Sequence, residues 1–439
     1  MLHRLKKVIP DCVLNQYHRF LSWFAALIYG NPSREAVVIG VTGTNGKTTV
    51  SYLIAKALEA MGDQTGCTST AIFKIGKLEW LNDRKMTMLG RFQLQKLLRR
   101  MVNEGCKYIV VETSSQGILQ YRHTNIEYDI CVFTNLTPEH IEAHGGFENY
   151  KQAKIELFRH LARGYQKKIF GKVWKKTAVL NRLDEHANAF ALPGLELAWY
   201  GIGEGQGMNA LDLKDEGWAT SFTVNGIRGK INLPGKMNVE NAMAAIAVAT
   251  VCDFPLAEVI KKVGMVSGLP GRFERIDEGQ DFTVIVDYAP EPASLTKLYE
   301  AVQNIPHERI IHVFGSCGGG RDIARRPILG SIAAKHADEV FITNEDPYDD
   351  DPRIIMEQVA EGARKQGIAQ EYLHIIYDRK QAIEQAIQSA KTGDIVLLTG
   401  KGCEQAIIGV AGSKQAWDER VIAREALRTR LLYSKHVSS

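Results

Sequence analysis

The stretch GVTGTNGKTT, Gly40 to Thr49, limits what this chain can fold into more than any other. The apolar run AVVI (Ala36 to Ile39) leads into it and the helix-compatible VSYLIAKALEAMG (Val50 to Gly62) follows, so a strand, a glycine-rich turn and a helix start stand in a row. That order builds a phosphate-binding loop. Gly43 and Gly46 let backbone N–H groups converge on phosphate oxygens, and Thr44, Asn45 and Thr49 lie in the same loop. Lys47 supplies a cation and Thr48 a hydroxyl for Mg²⁺. The general spacing G-x-x-x-x-G-K-[ST] would put glycine at position 41, where this chain has Val41. ATP or GTP is the expected ligand; an ordinary loop between strand and helix is the alternative.

Past the loop, apolar strand candidates alternate with helical patterns: YIVVE (108–112), ICVFTN (130–135), TAVLN (177–181), FTVIVDY (282–288), IIHVFG (310–315), EVFIT (339–343) and DIVLLTG (394–400). This predicts an α/β protein with mostly parallel sheets. Polar residues collect at the C-terminal ends of those strands (Glu112, Asn135, Asp287, Asn344, Lys401), the edge at which open α/β sheets bind ligands. From Asn181 to Pro234 short strands and Gly-rich turns predict a small antiparallel insert before a helix at Val239 to Ala249. GLPGRFE (Gly268 to Glu274) reads as a linker. The expected organisation is a short helical segment over 1–36, a central P-loop ATPase domain over 37–270 and a Rossmann-like α/β domain over 271–439.

A 439-residue chain with 45% hydrophobic and 24% charged residues has the composition of a soluble globular protein of two or three domains. Its 54 basic and 50 acidic residues leave a net charge of +4, which gives no argument for a nucleic-acid partner. The seven cysteines contain no C-x-x-C pair, so neither a zinc site nor a disulfide framework is indicated, and a cytoplasmic location is expected. FLSWFAALIY (Phe20 to Tyr29) follows a basic stretch but is too short to cross a bilayer. A signal peptide fits its composition less well than a helix packed on the next domain, because aromatic residues at helical spacing are most often core. The other reading is a helix resting on a membrane surface through Phe20, Trp23, Phe24 and Leu27.

VVETSSQGILQYRH places Glu112 at the end of a buried strand, and TNLTPEHIEAHGGFENYKQAK places His140 and Lys154 just past another. A carboxylate, an imidazole and the Thr48 hydroxyl are a suitable donor set for Mg²⁺ at nucleotide phosphates. Taken singly, Glu112 reads as a strand-end acid and His140 as a helix-start residue.

GTNGKTT, ETSSQGILQYRH, FTNLTPEHIEAHGGFENYKQAK, LPGKMNVENAMAA, GRFE, VDYA, FGSCGGGRDIARRP, NEDPYDDDPR and LTGKGCE occur in the order of the Mur ligases, the ATP-dependent amino-acid-adding enzymes of peptidoglycan synthesis. The resemblance is to the UDP-N-acetylmuramoyl-tripeptide synthetase branch and spans roughly residues 37–425. It implies an acyl-phosphate mechanism that ends in an amide, ADP and phosphate. Lys47 and Thr48 would handle the phosphates and Mg²⁺, and Glu112 and His140 the metal. Lys154 matches the lysine that this family carbamylates, which helps to hold a second Mg²⁺. Asn238 matches an adenine-side asparagine, Asp287 a ribose-binding aspartate and Arg272 an arginine near the phosphates. Thr87, Ser114, Gln120 and Arg122 match positions that touch the muramoyl-peptide. Arg321 would hold the α-carboxylate of the amino acid, in a pocket with Asp346, Tyr348, Gly400 and Glu404.

The chain also departs from the pattern. About 36 residues precede the first strand, too few for the uridine-diphosphate domain of this branch, which puts recognition of a UDP-linked donor in question. Glu345-Asp346-Pro347-Tyr348 stands where diaminopimelate-adding enzymes have D-N-P-R. Losing the arginine and gaining a carboxylate predict a basic acceptor such as lysine or ornithine. Cys403 and Pro290 each replace a family histidine. The competing readings are a folylpolyglutamate-synthetase-like ligase and a nucleotide-binding partner protein that no longer ligates.

Overall fold

The computed structural model describes residues 11–138, 144–266, 268–320 and 323–437. The described residues fall into two units, one within Met1–Lys214, Ser221–Ile231 and Met237–Val266, the other within Asp215–Thr220, Asn232–Lys236 and Ser267–Ser439.

In the first unit the apolar runs align side by side because a parallel strand covered on both faces must be apolar almost throughout. Val37–Thr42 lies between Tyr108–Glu112 and Ile130–Phe133, parallel to both, and every residue of the three is buried. Thr177–Asn181 and then Glu196–Ile202 continue the parallel order beyond Ile130–Phe133, and Thr65–Thr68 continues it beyond Tyr108–Glu112. Ile72–Ile75 and Leu78–Leu81 close that edge as antiparallel strands. The short strands expected between Asn181 and Pro234 are Glu196–Ile202, Met208–Asp215, Thr220–Val224 and Ile227–Ile231. They are not the antiparallel insert expected: all four belong to the same 11-stranded sheet, whose far edge they form, and Tyr200–Ile202 pairs parallel with Met208–Ala210.

The helix Lys47–Ala60 buries Val50, Leu53, Ile54, Ala57 and Leu58, the i, i+3, i+4, i+7, i+8 stripe that seats a helix on a sheet. Phe147–Arg163 does the same with Tyr150, Ala153, Leu157, Phe158 and Leu161, and its buried face also carries Lys154. The core between Phe147–Arg163 and the sheet includes Val38, Ile109, Val111, Phe133 and Leu180.

The N-terminal helix Asp11–Ile28 departs from expectation. It packs through small residues, with Ser22, Ala25 and Ala26 buried, while Phe20, Trp23 and Leu27 stay 55, 52 and 51% exposed and Phe24 40%. Ser22 accepts a hydrogen bond from Thr124, and Phe24 meets Phe92 edge to face at 6.2 Å. The aromatic face expected to be core is open. No helix among the described residues is long and apolar enough to cross a membrane.

The second unit carries a six-stranded sheet in the order Glu274–Ile276, Thr283–Val286, Ile395–Leu398, Ile310–Phe314, Glu339–Thr343, Leu373–Ile376. All its pairings are parallel except that of the first strand, which is antiparallel at the edge. Val284, Val286, Ile311, Val313, Val396 and Leu398 form its core with Ile383, Ile387 and Leu427. Arg379 and Glu419, both fully buried, pair at 2.6 Å and tie the C-terminal helix to this core.

Candidate active site

The turn after Val37–Thr42 is shaped for close approach. Gly43 has φ +152°, and a Cβ there would lie 1.9 Å from Thr134 Oγ1. Gly46 has φ +80°, and its Cβ would meet Asn241 Oδ1 at 2.4 Å. Neither position tolerates a side chain, and Gly46 caps the helix Lys47–Ala60 without a side-chain oxygen, so the first-turn N–H groups point out for an anion. Asn135, at the end of its strand, fixes the turn by accepting from Thr44 N at 2.7 Å and, through Oδ1, from Asn45 N at 2.8 Å. Lys47 Nζ donates to the Thr44 carbonyl at 2.6 Å. Thr49 is half-buried in the first turn of the helix.

The register Val41↔Glu112 sets Glu112 beside this turn. Its carboxylate is 1% exposed and accepts from Thr48 Oγ1 at 3.0 and 3.1 Å, from Thr70 N at 2.6 Å and from Thr70 Oγ1 at 3.0 Å. Thr70 Oγ1 also lies 3.0 Å from Thr87 Oγ1, whose hydroxyl can donate to it, which brings Thr87 into the same cluster. No ammonium or guanidinium pairs with Glu112 among the described residues. A buried carboxylate bonded only to neutral donors, beside a phosphate loop and touching the hydroxyl of Thr48, fits a divalent cation held by hard oxygen ligands. Thr70 escaped the sequence reading because a lone threonine in a loop carries no motif.

Lys154 reaches the turn from the other side. It is 1% exposed, its Nζ donates to the Gly43 carbonyl at 2.6 Å and lies 4.4 Å from the Tyr150 ring centroid, and Tyr150 OH is 3.2 Å from Thr44 Oγ1. Asn241, the neighbour of Gly46, donates to Asn238 Oδ1 at 3.4 Å, which places Asn238 one residue contact from the loop. His140 and Arg321 lie outside the described residues.

Of the positions matched to a peptide ligand, Ser114 caps the short helix Ser115–Leu119 by accepting from Gly117 N at 3.1 Å. Gln120 and Arg122 bond to one another at 2.6 Å. Burial lowers the Arg122 pKa.

In the second unit Asp287 is half-buried and accepts from Phe273 N at 2.6 Å and Ala289 N at 2.9 Å; desolvation raises its pKa although Arg272 and these N–H groups pull it down. Arg272 lies 4.3 Å over the Tyr288 ring. Asp346 is not the free charge expected from the sequence. It is 4% exposed, and its Oδ1 accepts from Lys401 Nζ at 2.9 Å and Ile408 N at 2.7 Å, because a carboxylate placed in a core needs a counter-charge. Lys401 also holds Glu404 at 2.7 Å. Glu345 is likewise buried, bonded to the Cys317 thiol at 2.8 Å and beside Gly400, where a Cβ would lie 2.4 Å from its Oε2. Tyr348 has φ +52° and crowds Gly319. Burial pushes the Cys403 thiol up to about 11, so it stays protonated.

The model of the Mur ligase middle domain matches residues 41–249, and that of the Mur ligase glutamate ligase domain residues 271–402. The chain is 39% identical to a UDP-N-acetylmuramyl-tripeptide synthetase of Roseiflexus sp. (strain RS-1), over 93% of this chain and 81% of that protein. It is 35% identical to a UDP-N-acetylmuramoyl-L-alanyl-D-glutamate–2,6-diaminopimelate ligase of Halalkalibacterium halodurans, over 97% of this chain and 85% of that one. Among solved structures, one of a ligase of the latter type superposes with a TM-score of 0.60 at 29% identity, covering 90% of this chain and 79% of the other. A Mycobacterium tuberculosis folylpolyglutamate synthase complexed with ADP superposes with a TM-score of 0.68 over 98% of each chain, but at 16% identity this is a likeness of fold alone.

Proposed function

Since the chain belongs to the Mur ligase family and is an ATP-dependent ligase of peptidoglycan precursors, we propose that it joins an amino acid to the terminal carboxylate of a muramoyl-peptide. The observation that carries this reading is Glu112, a buried carboxylate with no cationic partner among the described residues, touching the hydroxyl of the phosphate loop. Thr48 and Glu112 would hold Mg²⁺, with His140 as a further ligand, and the ion would neutralise charge on the phosphates. The N–H groups of the turn and Lys47 bind and orient the ATP phosphates for transfer to the peptide carboxylate. Lys154, carbamylated, would help to hold a second ion. Asn238 faces the adenine, Asp287 the ribose and Arg272 the phosphates. The amine of the incoming amino acid then attacks the acyl phosphate and phosphate leaves.

Thr87, Ser114, Gln120 and Arg122 contact the muramoyl-peptide, and Arg321 the α-carboxylate of the acceptor. The acceptor carries a basic side chain, because Tyr348 stands where the diaminopimelate pocket has its arginine and Asp346 brings a carboxylate in place of an amide. The open aromatic face of the N-terminal helix rests on a membrane surface. Mass spectrometry of the products formed from ATP, a panel of amino acids and muramoyl-peptide donors tests the reading. A peptide longer by lysine or ornithine is the expected product; no new amide with any pair overturns the ligase assignment.

A further inference from the structure

Two guanidinium groups, Arg91 and Arg122, stand together in the first unit, and among the described residues no carboxylate bonds to either. Arg91 opens the helix Arg91–Asn103 and donates through Nη2 to the Gln120 carbonyl. Arg122 donates through Nη2 to Gln120 Oε1 at 2.6 Å and through Nη1 to the Met88 carbonyl. Both are therefore clamped on the same residue by neutral acceptors, and both leave a buried Nε–H without a hydrogen-bond partner. Each is about half-buried, and Arg122 is the charged neighbour that disfavours the charge on Arg91. The other group acting on Arg91 is Tyr17, on the N-terminal helix; among the described residues no acid acts on either arginine. A third guanidinium, Arg19, lies 4.7 Å over the ring of Tyr121, the residue between Gln120 and Arg122, whose backbone is held at φ +55°.

Two adjacent guanidinium groups with spare donors and no acid are costly unless a ligand compensates them, because like charges repel and each buried N–H needs an acceptor. The helix beginning at Arg91 adds to the excess of positive potential. We propose that Arg91 and Arg122 form a site for a doubly charged oxyanion of the donor, with Arg91 as the residue that makes a single-charge contact at Arg122 into a double one. A monocarboxylate would leave one guanidinium uncompensated, whereas a diphosphate or two neighbouring carboxylates of an acidic peptide match both. The proposal deepens the muramoyl-peptide reading and rests on it.

Titration calorimetry of the full chain, with Mg²⁺ and ADP saturating the nucleotide loop, tests the site directly with pyrophosphate, glutarate and acetate. One of the two dianions binds at one site per chain, acetate does not, and Arg91→Gln weakens that binding about tenfold or more, as expected for a lost charge-assisted hydrogen bond. Arg91→Lys keeps the charge and recovers part of the affinity, which separates loss of the site from loss of fold. Pyrophosphate as the ligand assigns the site to a diphosphate; glutarate assigns it to the peptide carboxylates. In turnover, Arg91→Gln raises the KM of the peptide donor by a similar factor with kcat retained. Binding of neither dianion, or equal binding by Arg91→Gln and the unaltered protein, overturns the proposal. Because calorimetry needs no turnover, failure of the ligase assignment itself leaves a different trace: normal dianion binding with no amide formed.

Discussion

At the scale of single residues, the account depends on Glu112 and Lys154. Glu112→Gln keeps an acceptor for Thr48 and Thr70 but removes the charge, so Mg²⁺-dependent turnover is expected to fall at least ~100-fold while nucleotide still binds without metal. Turnover against Mg²⁺ concentration checks this, and an unshifted Mg²⁺ curve contradicts it. Lys154→Ala is expected to abolish turnover, leave ATP binding largely in place and respond to added short carboxylates, because the group proposed there is a carbamate anion. Full activity in that variant would sink the carbamate. Glu112 and Thr48 were legible before any coordinates, because a strand-end acid and the residue after a loop lysine meet at one sheet edge in any α/β fold. Thr70 and Arg91 were not. A loop threonine and a helix-opening arginine read as surface residues until the chain folds Glu112 onto one and Arg122 onto the other.

At the scale of elements, Asp129 explains how the loop strand is held. It is fully buried, accepts from Val38 N at 2.9 Å, and pairs with Lys167 at 2.5 Å and Lys176 at 3.2 Å, both buried. Asp129→Asn leaves two buried ammonium groups without a counter-charge, and a loss of ~3–5 kcal/mol is expected in a denaturant titration. A change under ~1 kcal/mol would mean that water reaches the pair. Strands of both sheets were readable from their apolar runs: TAVLN coincides with Thr177–Asn181 in the first unit and EVFIT with Glu339–Thr343 in the second. The antiparallel strands Ile72–Ile75 and Leu78–Leu81 went unread because four-residue runs around Gly76 have no period to detect. The N-terminal helix misled for another reason. Helical spacing shows that a face is apolar, not that something covers it, and here Ser22, Ala25 and Ala26 do the packing.

For the whole molecule, two buried histidines set an acid limit. Burial lowers His123 and His312 to about 3, with His160 adding to the effect on the first and Arg379 on the second. The unfolded chain protonates such imidazoles near 6.5 and the folded chain does not until about 3, so the unfolded state binds more protons in between. Stability is therefore expected to fall as pH drops from about 6.5 toward about 3. His123→Leu should flatten the slope of the melting temperature against pH in that window; an unchanged slope would show that other groups carry it.

The overall fold does not choose the reaction, since a folylpolyglutamate synthase shares it over 98% of each chain at 16% identity. The choice lies in how ATP use is coupled. The most direct measurement is ADP release by the purified full chain with a muramoyl-peptide donor and a basic amino acid, each supplied alone and then together. The account predicts release only when both are present, one ADP for each amide formed. ADP release at the same rate without donor or without amino acid would contradict it.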